Sequence, residues 1–172
     1  VVTIATEENL PPVADAGGAY VVSVGEKVSF DGSFSGDLDG EIVSYQWHVE
    51  EGMMLQGEYV EYQYNKPGIY QARLTIMDDV GAESTDYAVI TVNAAPIANV
   101  YPLKRVEPGQ TVSFDGTSSK DPDGQIQDAW WNFGDDTPVR EGLSAQHSFT
   151  IPGRYAVTLT VRDDSEASNN MD

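Results

Sequence analysis

An all-β chain of two tandem antiparallel sandwiches is the fold class this sequence predicts, and three observations carry it. Apolar residues alternate with polar ones at period 2 in at least five runs. Those runs are punctuated by Gly, Asp and Pro, the residues of tight turns. The whole pattern then occurs twice, 84 positions apart in the first half of each copy. A repeating unit of that length is a small domain, not a turn of a solenoid.

Taken in order, the elements justify themselves. Val28 and Phe30 alternate with polar neighbours, and Val28-Ser29-Phe30-Asp31-Gly32 returns as Val112-Ser113-Phe114-Asp115-Gly116. Asp37-x-Asp39-Gly40-x-Ile42 returns as Asp121-x-Asp123-Gly124-x-Ile126. Tyr45, Trp47 and Val49 form a strand whose tryptophan, matched by Trp131, suits a core anchor. Val60, Tyr62 and Tyr64 form the next. Beyond the tryptophans the offset becomes 85, so the second copy gains one residue between Trp131 and Pro152. Tyr70, Ala72, Leu74 and Ile76 alternate most cleanly, mirrored by Tyr155, Val157, Leu159 and Val161. Tyr70 and Tyr155 follow a Pro-Gly pair and open a late strand, as the tyrosine corner of an immunoglobulin-like sandwich does. Ala88, Ile90 and Val92 close the first copy. No stripe of period 3.6 stands out.

Three segments follow: 1–8, a terminal strand; 9–93, the first domain; and 94–172, the second. Asn93-Ala94-Ala95-Pro96 joins the domains without a Gly/Ser tract. Val1-Val2-Thr3-Ile4 resembles Val89-Ile90-Thr91-Val92, so 1–8 reads as the tail of a preceding repeat. Alternatively Val1–Thr6 is a donor strand for a neighbouring copy, because strand addition at an open sheet edge is physically sound. The second domain stops before any counterpart of the Tyr87–Val92 strand.

Composition narrows function. The chain has 28 acidic and 9 basic side chains, a net charge of −19, and no cysteine. Nucleic acid is disfavoured because phosphate binding needs a basic face. Disulfides, thiolate zinc sites and a cysteine nucleophile are excluded. Apolar runs are only a few residues long, so no membrane insertion is expected within this chain, and a signal peptide is read as absent or removed. The two histidines, His48 and His147, are not at equivalent positions, and His147 reads as a packed or hydrogen-bonded side chain rather than a catalytic one. No nucleophile elbow, phosphate loop or HExxH motif occurs, so no catalytic residue is assigned and the chain reads as non-enzymatic. The surplus acid keeps the surface solvated and discourages binding to acidic partners.

Ser119-Lys120-Asp121-Pro122-Asp123-Gly124, Trp131-Asn132-Phe133-Gly134-Asp135-Asp136, His147-Ser148-Phe149, Pro152-Gly153-x-Tyr155 and Val161-Arg162-Asp163 stand in a fixed order. In that order and spacing they resemble the PKD (polycystic kidney disease) domain, and the resemblance covers both copies. The first copy departs at the second motif, with Trp47-His48-Val49-Glu50-Glu51-Gly52. The resemblance implies seven-stranded immunoglobulin-like sandwiches in extracellular, cell-surface or secreted proteins, such as archaeal surface-layer proteins and bacterial proteases and collagenases. It implies a spacing or binding role without catalysis. It also implies calcium as cofactor. The candidate ligands are Asn9, Leu10 (by its carbonyl), Asp37, Asp39 and Asp78 in the first copy. In the second they are Asn93, Ala94 (by its carbonyl), Asp121, Asp123 and Asp163.

The chemistry suits the ion. Calcium takes six to eight oxygens, at about 2.3–2.6 Å. Aspartate holds its carboxylate close to the backbone, and the glycine after D-x-D lets the chain turn. Ordinary Asp-Gly turn chemistry is the competing reading. Trp130, beside the core Trp131, should point to the other sheet face. It either stacks on a sugar ring or a partner chain, or is half-covered by neighbouring strands. The leading function is a structural spacer or assembly unit of a surface layer, stalk or filament, with neighbouring copies as protein partners. The alternatives are an accessory module of a secreted hydrolase that binds protein or polysaccharide, and a calcium-dependent adhesion module.

Overall fold

The computed structural model describes residues 8–101 and 105–164. Segment 1–8, expected to be a terminal strand with Val1–Thr6 as a donor segment, lies outside them apart from Glu8. Two units result, Val1–Asn93 and Ala94–Asp172.

The first unit contains β1 (Tyr20–Ser23), β2 (Lys27–Asp31), β3 (Ile42–Glu50), β4 (Met53–Gln56), β5 (Tyr59–Gln63), β6 (Gly68–Asp78) and β7 (Glu83–Asn93). One sheet runs β1-β7-β6-β3-β4; β2 and β5 pair as the other. The inward positions of the alternating strands form the core. Trp47, Leu74, Ile76, Phe30, Tyr64 and Ile90 are buried, and the Phe30 and Trp47 ring centroids lie 5.1 Å apart. Tyr70 donates its hydroxyl hydrogen to the carbonyl of Lys66 at 2.9 Å, the expected tyrosine corner.

The second unit contains β8 (Thr111–Asp115), β9 (Ile126–Asn132), β10 (Arg140–Glu141), β11 (Ser144–Ser148) and β12 (Thr158–Asp163). Its sheets, β10-β9-β12 and β11-β8, repeat β4-β3-β6 and β5-β2. Ala129, Trp131, Phe133 and Leu159 form its buried core. Tyr155 donates to the carbonyl of Ile151 at 2.7 Å. The core anchors and both tyrosine corners are where the alternation places them.

Three details differ from the expected elements. β1 and β4 carry too little alternation to be read as strands. Met53 and Met54 are both exposed, and only Leu55 turns inward, opposite Trp47. β1 is held by parallel pairing to β7. Second, Tyr155 and Val157 precede β12 instead of belonging to it. In the first unit the matching residues, Tyr70 and Ala72, pair with β7, whereas β3 partners β6 only from Arg73 onward. Among the described residues the second unit has no counterpart of β7, so its strand begins where β9 begins to pair, at Thr158 opposite Asn132. Third, the extra residue of the second copy lies in one hairpin: Trp47 faces Leu55, but Trp131 faces Arg140. The short turn uses Gly52 at φ +75°, and the longer one uses Gly134 at +70° and Asp136 at +62°. A side chain at Gly134 would also meet the carbonyl of Ala156 at 2.6 Å.

Candidate functional site

Each D-x-D-G segment lies in the loop that carries the chain from one sheet to the other, β2 to β3 in the first unit and β8 to β9 in the second. In the first unit Asp78 closes β6 and is buried. Its Oδ1 accepts the amide hydrogens of Val80, Gly81 and Ala82 at 3.0, 2.6 and 2.7 Å, which fixes the turn into β7. Its Oδ2 accepts the Nδ2 hydrogen of Asn9 at 3.0 Å. The Asn9 bond first, and then the three turn amides, hold the Asp78 carboxyl below the ordinary carboxylate range. Asp39 accepts the Leu10 amide with both oxygens, at 3.2 and 3.1 Å. Asp37 accepts the amides of Asp39 and Gly40 on Oδ1, both at 3.2 Å. Its Oδ2 is sealed from solvent and has no partner.

The second unit repeats this arrangement. Ala94 donates its amide to both oxygens of Asp123 at 3.2 and 3.1 Å. Asp121 Oδ1 accepts the Asp123 amide at 3.3 Å, and Asp121 Oδ2 is again sealed and without a partner. Asp163 ends β12 and is buried. Burial pushes the Asp121 carboxyl above its ordinary value, and the charges of Asp123 and Asp163 add to the push against the amides of Asp123 and Gly124. Asn93 is the last residue of β7 in the first unit, where it is buried and its carbonyl accepts the Val24 amide at 2.8 Å.

Asp79 and Asp164, the second residues of each Asp-Asp pair, were not among the candidates. A Cβ at Gly40 would stand 2.6 Å from Asp79 Oδ1 and 3.0 Å from Asp37 Oδ2. At Gly124 it would stand 2.7 Å from Asp164 Oδ1 and 3.0 Å from Asp121 Oδ2. The glycine is therefore required by two carboxylates crowding one α-carbon. The doubled aspartate was visible in both repeats, but only its geometry shows which oxygen approaches the glycine.

The donor set is oxygen throughout, which fits a hard cation in kind. Each unit also leaves one carboxylate oxygen dry and unpaired, a costly arrangement that a cation would relieve. Asp39, Asp78, Asp79 and Asp123 are turned to N–H groups. Among the described residues no three acidic or histidine side chains converge as a ready-made metal cluster. Leu10 and Ala94 present their amides to the aspartates, and their carbonyls are not what Asp39 and Asp123 meet.

Two other candidates have clear places. Trp130 is half-buried on the outer face of β9, with the Arg162 guanidinium 5.6 Å from its ring centroid. Arg162 is paired with Asp128 through Nε at 3.0 Å and through a second, shorter bond from its terminal nitrogen. His147 is packed, not exposed for chemistry: its ring stacks on Phe133 at 4.0 Å, and Nε2 meets Asp135 Oδ2 at 2.6 Å. The corresponding pair in the first unit is Tyr62, whose hydroxyl donates to Glu50 at 2.6 Å.

Asp78 carries a pH prediction. Its folded carboxyl ionises below the ordinary value, so its contribution to stability is present above about pH 4 and is lost as pH falls through the folded value. Thermal melts from about pH 6 to 2 should show the first unit weakening in acid, with Asp78→Asn flattening that limb. An unchanged slope in the variant would remove Asp78 as its source.

The profile of the PKD domain matches residues 9–92 and again 93–172. The pre-pro-metalloprotease PrtV of Vibrio cholerae is 32% identical over 165 residues, covering 94% of this chain and 17% of that protein. Collagenase ColQ1 of Bacillus cereus is 30% identical over 110 residues, covering 64% of this chain and 11% of that protein. The crystal structure of the PKD1 domain of Vibrio anguillarum Epp is 34% identical, covers 51% of this chain and 99% of its own, and superposes with a TM-score of 0.45. The chain thus spans under a fifth of the length of PrtV and of ColQ1. Two consecutive matches that together leave only residues 1–8 unassigned make this chain a member of the PKD domain family, in two tandem copies.

Proposed function

We propose that the chain is a non-catalytic extracellular module whose units are stabilised by calcium, and which spaces or joins larger elements of a surface layer, stalk or filament. The observation that carries the reading is the recurrence, in both units, of a sealed and unpaired aspartate oxygen beside a glycine, Asp37 Oδ2 and Asp121 Oδ2. Bound calcium would supply positive charge to carboxylates that otherwise repel one another. The protein's own part is positional. Asp37 and Asp121 offer the dry oxygen. Asp39 and Asp123 tie the turn to the entrance residue, and Asp78 locks the turn from β6 to β7.

Asn9 and Leu10 in the first unit, and Ala94 in the second, bring the entrance against the acidic turn; Asn93 completes the second set by its position in the sequence. The extracellular setting is supported by kinship to PrtV and a collagenase. Those relatives also favour a second reading, an accessory module beside a catalytic domain. As a platform for polysaccharide, Trp130 is compromised by the arginine lying over it.

Calorimetric titration of the chelator-treated chain with calcium tests the reading. Saturable binding with dissociation constants of about 10⁻⁴–10⁻³ M is expected, the range of extracellular modules. Titration without heat or saturation at millimolar calcium overturns it.

A further inference from the structure

Outside the acidic turns, the outer face of the β1-β7-β6-β3-β4 sheet stands apart. Register places Tyr87 opposite Arg73, Arg73 opposite His48, and His48 opposite Met54, one row across four strands. Alternation sends all four to the side away from Trp47 and Leu74. Tyr87 is 51% exposed and Met54 56%, and Val89, opposite Gln71 in the next row, is 43% exposed. The row on the other side is Thr85, Thr75, Gln46 and Gln56. The two four-strand rows contain no acidic residue, in a chain with 28 of them, and depart there from its overall charge; the Val89–Gln71 row leads on to Glu50 of β3.

Arg73 is the focus of that face. Among the described residues its polar partner is His48, to which it donates at 3.0 Å, and it forms no ion pair. Nearby acids are committed elsewhere: Glu50 accepts the Tyr62 hydroxyl, and Asp86 accepts the Ala16 amide at 2.8 Å. The second unit shows the contrast. On its matching sheet Arg162 is neutralised by Asp128 and lies over Trp130. That arginine carries its own counter-charge; among the described residues Arg73 has none.

We propose that this face docks an acidic peptide segment, one carboxylate seated on Arg73 and its apolar neighbours on Tyr87, Val89 and Met54. The composition is that of an interface core, where Tyr, Met and Arg are enriched and Lys, Glu and Asp depleted. A carboxylate on a guanidinium makes a charge-assisted bond about twice as strong as a neutral one. A peptide fits better than an acidic polysaccharide, because sugars need ring platforms and this face offers one phenol beside aliphatic groups. The site does not depend on the calcium reading.

The test is an amide-resolved NMR titration of the whole chain with Ac-Ser-Val-Tyr-Glu-Val-Ile-Ser-NH2 and its Gln counterpart. The Glu peptide should shift amides of β3, β6 and β7 saturably. The Gln peptide, or Arg73→Gln, should weaken binding about tenfold, while Arg162→Gln leaves it unchanged. Absence of saturable shifts, equal binding of the two peptides, or tighter binding of trigalacturonate at the same amides overturns the proposal.

Discussion

Trp131→Ala should cost the second unit about 3–5 kcal/mol, and Trp47→Ala should cost the first a similar amount. Both rings are sealed, Trp47 at 0% and Trp131 at 1% exposure. Each sits at the centre of its sandwich, against Phe30 in one unit and Phe114 in the other, and opposite Leu74 and Leu159 on the neighbouring strand. Truncation removes nine ring atoms' worth of contact and leaves a cavity that a β-sheet framework closes poorly. The consequence differs between the units. The first retains Phe30, Tyr64, Leu74, Ile76, Ile90 and others around the gap, whereas the described core of the second is Ala129, Phe133 and Leu159 with partly buried neighbours. Set against a typical margin of about 5–15 kcal/mol, the second unit should therefore unfold first.

A second substitution separates packing from polarity. Both indole N–H groups are buried without a partner. Trp→Phe keeps most of the ring and removes the unpaired donor, whose burial costs about 1–3 kcal/mol. Its loss should be far smaller than that of Trp→Ala. Urea unfolding followed by far-ultraviolet circular dichroism reads both, with two transitions fitted separately. A Trp131→Ala loss under about 1 kcal/mol would contradict the assignment of that ring as the anchor.

Much of this architecture was legible because both faces of the long strands are differently solvated. Trp47, Leu74 and Ile90 had to alternate with polar residues for β3, β6 and β7 to work as one-sided sheet strands. β1 and β4 were not legible because edge strands need only one partner and little alternation, as Met53-Met54 shows. The start of β12 was misplaced for a related reason: the apolar pattern of Tyr155 and Val157 persists where no described strand pairs with it.

At the acidic turns, repetition of D-x-D-G exposed Asp37, Asp39, Asp121 and Asp123. It could not reveal that Asp79 and Asp164 press on the glycines, or that Leu10 and Ala94 turn their amides to the aspartates. Those facts depend on backbone orientation, which residue type does not encode. The pairing of His147 with Asp135 was half legible, since a packed histidine was expected there but its acid was not named.

The acidic turns carry the second large effect. A ligand that binds only the folded state at a hundredfold excess over its dissociation constant stabilises by about 2.7 kcal/mol. Each unit has its own set of carboxylates, so both transitions should move. The dry oxygens of Asp37 and Asp121 make these two residues the sharpest point of attack, because alanine there removes the dry oxygen and the Oδ1 bonds within its own turn but leaves the Asp78 turn and the Leu10 and Ala94 amide bonds to Asp39 and Asp123 in place. The direct measurement is thermal melting of the chain and of the Asp37→Ala, Asp121→Ala double variant, each in excess calcium and in chelator. Calcium should raise both wild-type transitions and leave the double variant unmoved; a wild-type chain indifferent to calcium, or a double variant with the full rise, would contradict the account.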